Sequence, residues 1–271
     1  MTEKINGEKI ASEIEEEIRL EADFSPKLEI ILVGNNPASR TYTQEKIEAC
    51  ERLGFEANLT ELSEDVKEKE LIEKINELNQ DESTNGILVQ LPLPDHMDNN
   101  KVFNTLSPQK DVDGLTPLNL GKTLRGEKDL VPASVKAIEK ILQEEENELK
   151  GKKITIMNNS NLIGKPLSMI LTEKGATVTL CHEDTGNLKE HTLESDVVIT
   201  ATGEPDVIEK EMVSKDTFLI DAGYESGNTS ETENVKNYVS KISPEPGGVG
   251  PVTVAMTLKN LVKCYRKQEN S

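Results

Sequence analysis

Three observations predict a two-lobed α/β protein. Strand and helix patterns alternate from the first residues onward, and a polar stretch, QEEENELKGKK, interrupts the chain at 143–153. Beyond it come short buried strands, each followed by a loop of small or polar residues. Alternation of this kind predicts mostly parallel sheets, and the second series has the pattern of a doubly wound, Rossmann-like lobe. The expected division is 1–134, completed by 249–271, and 135–248.

Residues 8–22 form a charged amphipathic pattern and are expected to be helical. Leu28–Val33 is an apolar run that ends in the turn Gly34-Asn35-Asn36-Pro37. Ser39 is then read as the N-cap of a helix over 40–53. Phe55–Leu62 is a weaker strand, 66–79 a charged helix, and 86–91 a buried strand ended by Pro92 and Pro94, which lack backbone donors. Pro132 and Ser134 open a long helix. In the second lobe Ile154–Met157, Thr177–Leu180, Asp196–Ala201 and Phe218–Ala222 read as strands, with Asn158–Lys165 a loop and Pro166 a favourable first helical residue.

Composition narrows the function. With 31 basic and 50 acidic residues the formal charge is −19, which repels nucleic acid and anionic bilayers. Cys50, Cys181 and Cys264 are odd in number and lack metal-ligand spacing, as expected of free thiols in a reducing compartment. His96, His182 and His191 match no metal spacing and are read as surface or structural residues, so no metal is expected. The start of the chain is not a secretion signal and no apolar run approaches membrane-spanning length, so a soluble cytoplasmic protein is expected.

Polar residues stand out where a fold normally avoids them. Gln90 closes an apolar strand, and a turn from Pro108 carries Lys110, Asp111 and Asp113 up to Gly114, a position suited to positive φ or to close approach by a ligand. Asp113 can cap its own turn or accept from a ligand, and Asp111 is read as structural. Tyr42 and Lys46 share one helical face, a turn apart. The loop 244–252, PEPGGVGPV, combines glycines for close approach with stiffening prolines. The loop after Met157 holds only Gly164 of a glycine fingerprint, so by itself it leaves a nucleotide site and a plain α/β domain equally open.

The segments VQLPLP and KDVDG, with SRTYTQEK at 39–46, SNLIGKP at 160–166 and PEPGGVGPVTVAM at 244–256, resemble the bifunctional methylenetetrahydrofolate dehydrogenase/methenyltetrahydrofolate cyclohydrolase family in order and spacing. The resemblance runs from about Asn6 to the last helix. It implies a folate-binding catalytic lobe of three α/β layers to which the last helix returns, a dinucleotide-binding lobe, and a homodimer formed through the latter. It also implies Lys46 as the cyclohydrolase base, held by Gln90. Tyr42 would stack on the folate and Asp113 grip its pterin ring. Val89, Leu91, Pro246, Gly247, Gly250 and Pro251 would contact the substrate, with the 246–250 loop at a cleft between lobes.

For the cofactor the implied residues are Asn158, Asn159, Ser160, Gly164, Glu183, Asp184 and Tyr224. Here the chain departs from the family. Asn158-Asn159-Ser160 stands where Gly-Arg-Ser is common, Glu183-Asp184 follows the second strand, and no arginine occurs between Arg125 and Arg266. Pro132-Ala133-Ser134-Val135 replaces Pro-Cys-Thr-Pro, and 224–235 differs. An acidic residue after the second strand suits a ribose hydroxyl and opposes a 2′-phosphate, so NAD is favoured over NADP, although Lys165 or Lys189 could meet a phosphate. The expected activity is oxidation of methylenetetrahydrofolate followed by hydrolysis of the methenyl product. A cyclohydrolase with a weakened dehydrogenase step, or a non-catalytic folate or dinucleotide binder, remains an alternative.

Overall fold

A computed structural model describes residues 2–127, 129–146, 148–223 and 230–270. In chain order the elements are β1 (Glu3–Lys4), α1 (Gly7–Glu21), β2 (Lys27–Val33), α2 (Pro37–Leu53), β3 (Glu56–Leu62), α3 (Glu68–Gln80), β4 (Gly86–Val89), α4 (Asn99–Thr105), α5 (Pro117–Leu124) and α6 (Ala133–Glu145). They continue with β5 (Lys153–Met157), α7 (Gly164–Glu173), β6 (Thr177–Cys181), α8 (Leu188–Thr192), β7 (Val197–Thr200), β8 (Phe218–Asp221), β9 (Lys241–Ser243) and α9 (Val249–Glu269). Two compact units emerge. One comprises Glu13–Lys122, Lys128–Ala133 and Val254–Ser271; the other comprises Met1–Ser12, Thr123–Glu127 and Ser134–Thr253.

The first unit holds a parallel sheet in the order β3-β2-β4. Strands β2 and β4 are buried almost throughout, which is why both read as mainly apolar runs, with the buried Glu29 the internal exception in β2. Edge strand β3, EANLTEL, keeps several side chains in solvent, which accounts for its weaker signal. The N-cap of α2 is Asn36 and not Ser39. Asn36 Oδ1 accepts from Ser39 N at 3.1 Å, and Pro37 takes the first helical position, where no N–H is needed. Ser39, one turn inside, donates its hydroxyl to Leu91 O at 3.3 Å and so ties α2 to the loop after β4.

The turn after Pro108 is built by its own charged residues. Lys110 Nζ donates to the carbonyls of Leu78, Asn79 and Asp81 at 2.8–3.0 Å, filling the acceptors left open at the end of α3. Asp111, fully buried, accepts from Leu115 N, Thr116 N and Asn119 Nδ2 at 3.1, 2.8 and 2.8 Å. Asp111→Ala would strand three buried donors, and we expect it to lower unfolding free energy by on the order of 2 kcal/mol. Denaturant titration checks this, and an unchanged midpoint would mean that the turn does not depend on the carboxylate. Asn260 of α9 completes the arrangement by donating to Val112 O at 2.7 Å and Val131 O at 3.0 Å.

The second unit is a six-stranded parallel sheet, β1-β9-β8-β7-β5-β6. From β5 onward the order is that of a doubly wound sheet, in which the chain reverses its direction of travel between β5 and β7. Residues 1–12, expected with the first lobe, run with this sheet, where β1 pairs with Lys241–Ile242. Its core joins Met157, Cys181, Val198, Leu219 and Ile242. Helix α7 starts at Gly164, before Pro166, and α9 at Val249, inside the stretch read as a loop. All three cysteines are buried and none is in a disulfide. Among the described residues no helix is long and apolar enough to cross a membrane.

Candidate active site

Within the first unit, α2 and the end of β4 bring three of the four expected catalytic residues together. Lys46 is 4% exposed, and its Nζ donates to Gln90 Oε1 at 2.9 Å. Gln90 Nε2 in turn donates to Leu91 O at 2.8 Å, so the amide is held with its oxygen towards the lysine. The same amine lies 5.5 Å from the centroid of the Tyr42 ring. Burial pushes the Lys46 amine below the ordinary lysine range, against the opposing pull of the Asp113 and Glu45 carboxylates.

Asp113 is the fourth group. Burial holds its carboxyl above the usual carboxylate range, Asp111 adds to the rise, and Lys46 and a hydrogen bond from Thr257 oppose it. Its side chain is still partly exposed, unlike that of Asp111. The two aspartates therefore divide their work: Asp111 is consumed by donors of its own turn, while the Asp113 carboxylate acts electrostatically on the lysine. Gly114 has φ +66°, and a Cβ there would come within 2.7–2.8 Å of the backbone at Leu130, Val131 and Pro132. Close approach by the chain itself explains this glycine.

Among the expected substrate contacts, Val89 is a buried strand residue with 2% exposure, whereas Gln90 and Leu91 are half-buried. Pro246 and Gly247 precede α9, and Gly250 and Pro251 lie in its first turn. Self-packing also accounts for glycines here. Gly7 N donates to Gly247 O at 2.9 Å, and a Cβ on Gly248 would sit 2.2 Å from Pro244 O.

In the second unit a cavity of about 350 Å³ lies beyond the C-terminal ends of β5, β6 and β7, lined by Met157, Asn158, Asn159, Cys181, His182, Glu183, Leu188, Thr202, Glu204 and Val207. This is the switch-point crevice where open α/β sheets take ligands. Asn158 organises its rim. Its Oδ1 accepts from Ser160 N, Ser160 Oγ and Gly164 N at 2.9, 2.6 and 3.1 Å, and its Nδ2 donates to Ala201 O at 2.7 Å. Both ends of that amide are thus occupied by the protein. Gly164 lets α7 begin hard against β5, since a Cβ would meet Asn158 O at 1.7 Å.

Asn159 and Glu183 line the cavity; Ser160, Gly164 and Asp184 support its rim or lie beyond it. Tyr224 lies outside the described residues. Thr202, Glu204 and Val207 had not been expected, and His182, read as a surface or structural residue, lies at the wall. The available signal was the position of Thr202-Gly203-Glu204 after a parallel strand, where ligand loops fall. The named lining carries two carboxylates, Glu183 and Glu204, and neither lysine nor arginine.

The chain matches the family models for the catalytic domain (residues 5–113) and the NAD(P)-binding domain (residues 132–269) of tetrahydrofolate dehydrogenase/cyclohydrolase. It is 38% identical to the bifunctional protein FolD of Oceanobacillus iheyensis over 98% of each chain. The solved bifunctional FolD of Campylobacter jejuni superposes with a TM-score of 0.92 at 35% identity, covering 98% of this chain and 99% of that one. The Trypanosoma brucei methylenetetrahydrofolate dehydrogenase-cyclohydrolase, complexed with NADP and an inhibitor, gives 0.93 at 28% identity, covering 100% and 99%. With both family models matched and these full-length likenesses, the chain belongs to the tetrahydrofolate dehydrogenase/cyclohydrolase family.

Proposed function

We propose that this enzyme oxidises methylenetetrahydrofolate with NAD at least as well as with NADP, and hydrolyses the methenyl product to formyltetrahydrofolate with Lys46 as the base. The observation that carries the reading is the buried Lys46 amine on Gln90 Oε1, beside Tyr42 and coupled to Asp113. The methenyl substrate is a cation, and water adding to its bridging carbon must lose a proton. A neutral amine can take that proton directly or through a water, and burial favours the neutral form. Gln90 holds the amine by a neutral acceptor, which does not lock it as ammonium. Asp113 accepts the NH and NH₂ of the pterin ring side by side, and Tyr42 stacks on the folate.

The switch-point cavity suits a nicotinamide dinucleotide by its place at the C-terminal ends of the parallel strands, with Gly164 letting α7 begin hard against β5. Bound there, the cofactor supplies the hydride acceptor. The chain's own part is to choose between cofactors: Glu183 offers an acceptor to a ribose hydroxyl and repels a 2′-phosphate, while Asn159 gives no charge to hold one. The family reading also gives a homodimer formed through this unit, which sedimentation equilibrium checks as twice the mass of the chain.

The test is steady-state turnover with methylenetetrahydrofolate, following cofactor reduction and methenyl absorbance with NAD and with NADP. Asn159→Arg combined with Glu183→Ser should move the preference towards NADP by about ten-fold, the worth of one charge-assisted contact of about 1.5 kcal/mol. A wild-type enzyme that strongly prefers NADP, with the double variant unchanged, would mean that lysines handle the phosphate. Clearance of the methenyl compound without cofactor reduction would reduce the enzyme to a cyclohydrolase.

A further inference from the structure

Glu231 takes no part in the chemistry above, yet it is 3% exposed and lies against the loop after β7, whose Thr202 and Glu204 line the cavity. Its Oε1 accepts from Gly203 N at 2.7 Å. A Cβ on Gly223 would fall 1.7 Å from the same oxygen, so the carboxyl group is packed directly against backbone on both sides. Glu231 Oε2 and Thr200 Oγ1 are both buried without a hydrogen-bond partner among the described residues, although the Thr200 and Thr202 hydroxyls stand beside the carboxyl group.

A second carboxyl group shares this pocket. Asp221 is fully buried at the end of β8, where the parallel register sets it opposite Thr200. It accepts from Ser230 Oγ at 2.7 Å, Thr232 Oγ1 at 3.1 Å and Gly223 N at 3.2 Å. Among the described residues Glu231 has one backbone donor, Gly203 N, with the Thr200 and Thr202 hydroxyls beside it.

We propose that Glu231 is a positioning residue for the nicotinamide cofactor: docked on Gly203 N, it fixes the 201–204 turn, whose Thr202 and Glu204 line the nucleotide cavity. The turn is then pinned at both ends, by Asn158 Nδ2 on Ala201 O and by Glu231 on Gly203. Gly203 has φ +77°, a conformation that such anchors hold in place. This inference rests on the assignment of the cavity to the cofactor.

Glu231 performs this task as the neutral acid. Burial raises both residues above the ordinary carboxylate range, and the Asp221 charge adds to the rise at Glu231, even though each accepts hydrogen bonds that pull the other way. Among the described residues the charged group acting on Glu231 is Asp221 of β8; the flanking loops present Thr200, Thr202, Gly203 and Gly223. Asp221, with the Glu231 backbone N–H as a fourth donor, is the better anion, so the proton resides on Glu231, where Oε2–H becomes a donor for the orphan Thr200 hydroxyl.

The full-length protein is compared with Glu231→Gln and Glu231→Leu by titrating NAD and NADP directly and by measuring cyclohydrolase rates. Glu231→Leu should weaken cofactor binding about ten-fold, as expected for one lost buried anchor, with methenyl hydrolysis unchanged. Glu231→Gln keeps the acceptor and supplies a donor in place of the acid proton, so its cofactor affinity should stay within about two-fold of wild type. The pH dependence of stability has a definite sign. Above the ordinary glutamate value the unfolded chain has released a proton that folded Glu231 retains, so wild-type stability falls as pH rises through that interval. Glutamine has no proton to lose, and the Tm of Glu231→Gln relative to wild type should rise with pH over the same range. This comparison decides the matter even if Glu231→Leu does not fold.

Wild-type cofactor affinity in Glu231→Leu, or equal loss of binding and hydrolysis, would overturn the positioning role. Glu231→Gln binding as poorly as Glu231→Leu, or a Tm difference that does not change with pH, would overturn the neutral acid. A wild-type protein binding neither NAD nor NADP would refute the assignment of the cavity itself, and the inference with it.

Discussion

Lys46→Met is expected to slow hydrolysis of the methenyl compound by about 10²–10⁴-fold, the usual worth of a positioned general base, while the protein folds and still binds folate. The expectation starts from the amine's surroundings. Lys46 is buried on one face of α2, and its amine donates to the uncharged Gln90 oxygen. Methionine fills a similar volume without a polar atom, so the packing of α2 on the sheet persists. Gln90, half-buried at the mouth of β4, can turn to water for the hydrogen bond it loses.

The pH dependence separates a base from a merely structural lysine. Burial lowers the Lys46 pKa, so the neutral fraction rises at pH values below the ordinary lysine range. Wild-type hydrolysis should therefore climb with pH along a limb set by Lys46, and the residual rate of Lys46→Met should lack that limb. Lys46→Arg adds a control, because guanidinium keeps the charge but gives up no proton at accessible pH. Hydrolysis at the wild-type rate in either variant would remove Lys46 from the mechanism.

Much of this site was legible because its residues break local rules. A glutamine closing an apolar strand and a lysine one turn after a tyrosine on a half-buried helix are detectable in a linear reading, and the structure brings them together. Strands β2 and β4 were legible for a different reason, since burial on both faces leaves a mainly apolar run, with Glu29 the internal exception in β2. By contrast β1 and β9, of two and three residues, are too short to carry any period, and only their pairing reveals them. Ser39 was a plausible cap by residue type. Asn36 won because Pro37, which cannot donate, fits the first helical position.

Loops that meet only through strand order were the least legible. Spacing alone does not show that the turn 201–204 joins Asn158 at one crevice, because β5 and β7 become neighbours only when the chain winds around the sheet. Glycines were ambiguous for a related reason, although Gly114 does take the positive φ that was one of its two readings, +66°. Gly114 and Gly248 mark close approach, but the chain approaches itself there, a contact that composition cannot distinguish from a ligand.

Asp113→Ala should raise the folate requirement of both reactions together, through a loss of about 1.5–3 kcal/mol of binding, or roughly 10–150-fold in KM. One carboxylate accepting a donor pair from one pterin ring serves either reaction equally, so the loss must be shared. Asp111→Ala is the natural contrast, because Asp111 spends its oxygens on Leu115, Thr116 and Asn119 and should change stability with little effect on KM per folded molecule. Protonation should mimic the substitution. The Asp113 carboxyl is held above the usual range, so KM for folate should begin to rise, as pH falls, before an ordinary aspartate would titrate. The same substitution reaches Lys46, whose pKa is raised by the Asp113 charge against the dominant effect of burial. Without that charge the amine loses its proton more readily, so the ascending limb of cyclohydrolase kcat should move to lower pH even as KM worsens. A variant that impairs one activity alone would show that the two reactions do not share a folate site held by Asp113. An unmoved limb would show that the aspartate and the lysine are not electrostatically coupled.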